Sequence, residues 1–126
     1  MRIYPRMEYP KFKNGEFLID DYAGRKLTLT EKAWNHIIIE SNRTYFERLF
    51  DKITETIKNP NQVRSSTQEK NVVIYEKLFD DFYITDSVLG RAYVNVVANW
   101  STDRIRTAFT SLKKRQKGKQ LWPVEK

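Results

Sequence analysis

The chain has 126 residues, with 23 lysines and arginines against 16 aspartates and glutamates, for a formal net charge of +7. This length fits one domain of roughly 14 Å radius of gyration and excludes large two-domain cofactor enzymes. Zero cysteines and a single histidine, His36, exclude disulfides, thiolate zinc sites, iron–sulfur clusters, cysteine nucleophiles and multi-histidine metal centres.

Hydrophobic residues at 40% and aromatics at 13% suffice for a core. No apolar run approaches the ~18 residues of a membrane span, and Met1-Arg2-Ile3-Tyr4-Pro5 lacks the apolar stretch of a secretory signal, so a soluble cytoplasmic protein without membrane contact is expected. Neither an EF-hand spacing nor a phosphate-binding glycine loop occurs, and the expectation is no metal and no cofactor. The charge is asymmetric: residues 1–100 hold 15 basic and 14 acidic residues, residues 101–126 hold 8 and 2. The dense run from Lys113 to Lys119, with Lys113, Lys114 and Lys117 ahead of Trp122, suits a phosphate backbone; a solvated tail is the plain alternative.

In chain order, residues 1–25 combine Pro, Tyr, Lys and Asp around the apolar run Phe17-Leu18-Ile19, which predicts an arm or edge strand. Thr28 to Glu31 offers a threonine cap, and the spacing of Ala33, Trp34, Ile37 and Ile38 predicts a helix to about Glu40, with His36 beside the apolar stripe. A second helix is expected from about Thr44 to Lys58 on Tyr45, Phe46, Leu49, Phe50, Ile53 and Ile57, ended by Asn59-Pro60. The period then becomes alternating, predicting strands at Gln62–Ser66, Asn71–Phe79, Arg91–Trp100 and Arg104–Thr110, the last two as an antiparallel hairpin. The expected fold is α+β: two N-terminal helices packed on one face of a twisted antiparallel sheet of about four strands. Alternation places Ala92, Val94, Val96 and Ala98 toward the helices and Arg91, Tyr93 and Asn95 on the other face.

Leu27-Thr28-Leu29-Thr30 running into Ala33-Trp34-Asn35-His36-Ile37, then Ile57-Lys58-Asn59-Pro60-Asn61-Gln62-Val63-Arg64, the strand Tyr93–Ala98 and Ile105-Arg106-Thr107-Ala108-Phe109 form an ordered series. In this order they resemble the phage-type members of the barnase, EndoU, colicin and RelE-like (BECR) ribonuclease superfamily. A departure is Glu40-Ser41-Asn42-Arg43 where similar sequences often carry His-Pro. The resemblance implies one nuclease domain over 26–122, with a basic C-terminal segment at 111–126, and a metal-independent RNA-cleaving toxin or phage effector.

Such cleavage needs a base for the 2′-hydroxyl proton, cations on the phosphate and a donor for the leaving oxygen. The resemblance leads to His36 as acid/base, Arg91 and Arg64 as phosphate clamps and Thr107 at the scissile phosphate. Nucleic-acid contacts are expected from Tyr75, Tyr93, Asn95, Arg106, Phe109, Lys113, Lys114, Lys117 and Trp122. Two phases of the last strand stay open: Ile105 and Phe109 facing the helices with Thr107 buried, or Thr107 and Phe109 on the other face with Ala108 under the helices. The expected partners are RNA, single-stranded or structured, and an acidic inhibitor protein. The rival reading is a non-catalytic nucleic-acid-binding module in which His36 is structural; a weaker one is a degenerate toxin that only binds protein.

Overall fold

The computed structural model describes residues 12–40, 50–85, 88–112 and 118–123. Strands β1 (Glu16–Asp20) and β2 (Lys26–Thr30) form an antiparallel hairpin. Its turn is closed by Asp21, whose Oδ1 accepts from the N–H groups of Ala23 and Arg25 at 2.9 and 2.8 Å, as short polar side chains do at turns. Thr30 ends β2 and caps helix α1 (Glu31–Asn35), its Oγ1 accepting from the Ala33 N–H at 3.0 Å. A π-helical turn, His36–Glu40, continues α1. Helix α2 follows at Phe50–Lys58; Tyr45, Phe46 and Leu49 lie outside the described residues.

Five strands complete the sheet: β3 (Gln62–Ser65), β4 (Val72–Thr85), β5 (Val88–Asn99), β6 (Arg104–Ser111) and β7 (Gln120–Trp122). Their spatial order is β1-β2-β6-β5-β4-β3-β7. All neighbours are antiparallel except β2 and β6, which run parallel with Thr28 opposite Arg104.

The expected sheet of about four strands under two N-terminal helices is therefore corrected. Among the described residues, seven strands curl into a half-barrel, accompanied by the short helix α1 with its π-helical turn and by α2. Three segments account for the difference. Phe17-Leu18-Ile19 is the edge strand β1. Leu27 and Leu29 are fully buried while Thr28 is not, so the lead-in to the helix is itself a strand of period two. Gln120–Trp122, read as part of a basic tail, pairs with β3.

One face of the sheet carries the helices. Trp34, Ile37, Ile53 and Ile57 pack with Val73, Tyr75, Val94, Val96, Ala98 and Ala108 in a single buried cluster. The expected inward set of β5 is thus observed. On β6 both open phases hold in part, because pairing passes from Val97–Thr107 to Ala98–Ile105 and skips Arg106. A β-bulge inserts one residue and resets alternation. Ile105 and Ala108 are both buried, whereas Thr107 and Phe109 pair with Val97 and Asn95 on the face away from the helices.

Candidate functional site

No described helix covers the second face, where cross-strand register aligns a polar row. Gln62 of β3 lies opposite Glu76 of β4, Glu76 opposite Asn95 of β5, and Asn95 opposite Phe109 of β6. Gln62, Glu76 and Asn95 are 2%, 2% and 0% exposed, so their polar atoms require partners within the protein. Gln62 Nε2 donates to Glu76 Oε1 at 2.5 Å. Asn95 Nδ2 donates to Ser111 Oγ at 3.1 Å and lies 3.5 Å from the Tyr93 carbonyl oxygen, an acceptor only, which fixes the amide's orientation. Asn95 Oδ1 is buried and accepts no hydrogen bond.

Arg64 borders this row. Its Nε donates to Gln62 Oε1 at 2.9 Å, one Nη to the Gly118 carbonyl at 3.1 Å and the other to Gln120 Oε1 at 3.1 Å. Of the five N–H donors of a guanidinium, three are thus held by neutral acceptors, and no described carboxylate pairs with it. The other hydrogen-bonded or ion-paired arginines among the described residues differ. Arg25 pairs with Asp103 at 2.8 Å, Arg91 with Asp80 at 2.9 Å and Arg106 with Glu69 at 2.6 Å. Arg64 is oriented by neutral acceptors and forms no ion pair with a described carboxylate, an arrangement chemically able to receive a phosphate.

Gly118, just before β7, and Gln120, on it, owe their place to a close approach. Gly118, at φ +87°, lies against the Ser65 carbonyl, and the Ser65 N–H donates to the Lys119 carbonyl at 2.9 Å. Sequence reasoning missed Gln62, Glu76 and Gln120. Gln62 carries a signal, since it stands two before Arg64 in a predicted strand and shares its face; Glu76, joined to Gln62 only by cross-strand pairing, and Gln120 carry none.

The remaining expected residues distribute as follows. Tyr93, Thr107 and Phe109 are half-buried on the helix-free face with Arg64. Arg91 shares their parity but is exposed and paired, and Arg106 occupies the bulge. His36 is exposed at the end of α1, in the helical layer that packs on β2 and β6, and the structure does not bring it beside Arg64. Lys113, Lys114 and Lys117 lie outside the described residues.

Tyr75 and Trp122 belong to the helix side. Tyr75 is fully buried and its hydroxyl donates to Asp21 Oδ2 at 2.7 Å while accepting from Trp100 Nε1 at 3.0 Å. Burial, and then the bond to Asp21, raise its pKa far above the ordinary value of 10.0. Trp122 packs against Tyr22, ring centroids 5.1 Å apart. Both expected nucleic-acid contacts are positioned as packing residues.

Nothing among curated proteins or solved structures matches the chain. A largely antiparallel sheet with helices on one face and a polar row on the other defines the class, a domain of sheet and flanking helices. The chain belongs to the phage-Barnase-EndoU-ColicinE5/D-RelE like nuclease2 family, whose model matches residues 8–123. It is a nuclease of that family, and its substrate is a nucleic acid. No described helix is long and apolar enough to cross a membrane.

Proposed function

We propose that the protein is a metal-independent endoribonuclease that binds single-stranded RNA across the helix-free face of its sheet. The observation that carries this reading is Arg64, held by Gln62, Gly118 and Gln120 with no described counter-charge. Phe109 and Tyr93, half-buried on the same face, are suited to stacking on unpaired bases. RNA is favoured over DNA because its own 2′-hydroxyl can serve as the nucleophile, so that cleavage needs neither a covalent protein intermediate nor a metal-activated water. The 2′ oxygen attacks phosphorus as a base takes its proton, the P–O5′ bond breaks, and the leaving oxygen is protonated.

His36, the one histidine of the chain, is the proposed acid/base, since an imidazole can both accept and donate a proton. The +7 charge suits a toxin or phage effector restrained by an acidic inhibitor protein. A second reading, a binding module that has lost cleavage, draws on one observation: His36 sits in the helical layer and Arg64 on the opposite face. Incubation with single-stranded RNA in EDTA, beside DNA of the same sequence, decides between them. Cleavage of RNA alone, leaving 2′,3′-cyclic phosphate and 5′-hydroxyl ends, is expected; binding without cleavage establishes the second reading.

A further inference from the structure

We infer that Gln62 is a positioning residue that keeps the charge of Arg64 available to a phosphate by standing between Arg64 and the Glu76 carboxylate. The inference rests on the reading above, in which Arg64 binds a nucleic-acid phosphate. Gln62 is buried, and its side-chain amide uses both ends at once. The carbonyl accepts from Arg64 Nε at 2.9 Å, and the Nε2 group donates to Glu76 Oε1 at 2.5 Å.

Arg64 lies opposite Ile74, and Gln62 opposite Glu76. Arg64 and Glu76 are therefore diagonal neighbours on one face, a separation that long side chains span directly. A guanidinium and a carboxylate so placed attract each other strongly where water is scarce. Direct pairing would neutralise the cation, as Asp103, Asp80 and Glu69 do for Arg25, Arg91 and Arg106. The Gln62 amide satisfies both groups without transferring charge to either. Gln120 of β7 and the carbonyl of Gly118 just before it hold the guanidinium, also as neutral acceptors.

The role predicts a rescue that simple packing does not. Gln62→Met keeps the length of the side chain and removes the bonds to Arg64 and Glu76, taking away the amide that separates the carboxylate from the guanidinium. Adding Glu76→Gln removes the competing charge without rebuilding either lost bond.

The probe is a fluorescent single-stranded 2′-O-methyl oligonucleotide, which cannot be cleaved by 2′-oxygen attack. Its affinity for the full chain is read by anisotropy at fixed salt, with folding checked by thermal melting. Gln62→Met should weaken binding by about fivefold or more, and Gln62→Met/Glu76→Gln should return it to within about twofold of the parent.

Unchanged binding in Gln62→Met, or a loss that Glu76→Gln does not relieve in the folded double variant, overturns the inference. Should Gln62→Met not fold, Gln62→Asn decides by the same two comparisons, because its shorter amide cannot reach both partners. Arg64→Gln is the separate control: if it leaves affinity unchanged, the phosphate reading itself fails, whatever the Gln62 variants do.

Discussion

The backbone of Gly118 approaches that of Ser65 so closely that a β-carbon at position 118 would lie 1.8 Å from the Ser65 carbonyl oxygen. At φ +87° the position is also strained for any residue bearing a side chain. Gly118→Ala should displace β7 and lower stability by about 1–3 kcal/mol. Because the Gly118 carbonyl orients Arg64, oligonucleotide affinity should fall with it. A melting curve and a binding curve on one preparation check both effects.

Arg91 and Arg64 are both candidate phosphate clamps in the sequence, Arg91 first, and the structure gives them different surroundings. Arg64→Lys keeps the charge but loses the planar fork held by three acceptors, so affinity for single-stranded RNA should fall about tenfold. Arg91 is exposed and already paired with Asp80, and exposed pairs contribute little. Arg91→Lys should change affinity less than about twofold. Equal losses in the two variants, measured by anisotropy, would remove the distinction.

If His36 transfers the proton, His36→Ala should reduce RNA cleavage about 100-fold while leaving oligonucleotide affinity and melting temperature nearly unchanged. A loss of activity that merely follows the folded fraction would assign the residue to packing. Gel-based cleavage and thermal melting, run together, distinguish the two.

Tyr75 gives the fold a dependence on alkaline pH. Its folded pKa is raised, first by burial and then by the bond to Asp21, so the unfolded chain releases this proton at a lower pH than the folded one. The stability it contributes is complete below pH 10 and is lost as pH rises beyond that value. Melting temperature should decline above pH 10, and Tyr75→Phe should flatten that decline. The same variant should cost about 1–2 kcal/mol at neutral pH, because Asp21 and Trp100 lose a shared partner.

Asn95 Oδ1 is a buried acceptor without a donor, a condition that costs about 1–3 kcal/mol. Asn95→Leu should therefore leave the melting temperature unchanged or higher, despite losing the bond to Ser111. Asn95 is 0% exposed, so any change in oligonucleotide affinity would act through neighbouring residues of the row rather than through direct contact. A lower melting temperature would show that the bond to Ser111 outweighs the unsatisfied oxygen.

Legibility of the sequence followed the range of the interactions that decide each element. Thr30, Trp34 and Ile37 announce a capped amphipathic helix within ten residues, and the alternation of Ala92 to Ala98 gives β5 its inward face. The strand character of Leu27-Thr28-Leu29 was hidden by the cap that follows it. Its pairing with β6, at Thr28 and Arg104, depends on residues far along the chain. The phase of β6 was ambiguous because one bulge at Arg106 satisfies both patterns. Arg64 was recognisable as a candidate, but its orientation comes from Gly118 and Gln120, which no local pattern near residue 64 encodes. Tyr75 illustrates the converse: an aromatic in a strand reads as a stacking surface until Asp21 and Trp100 are seen to engage its hydroxyl.

Two partners of Arg64, Gly118 just before β7 and Gln120 on it, lie 54 and 56 positions away in sequence, whereas Thr85 at the end of β4 pairs with Val88 at the start of β5. Long loops close later than hairpins, since more chain entropy is lost before any contact forms. The central hairpins should therefore assemble early, and the arginine should acquire its geometry only when the last strand arrives. Fraying of that three-residue strand would switch off phosphate recognition while the rest of the sheet stays folded, making the site the least protected part of the fold. Native-state hydrogen exchange reports this directly: the Ser65 amide, bonded to the Lys119 carbonyl, should exchange faster than the ladder amides of Val94 and Val96. Equal protection would mean that β7 and the central strands open as one unit.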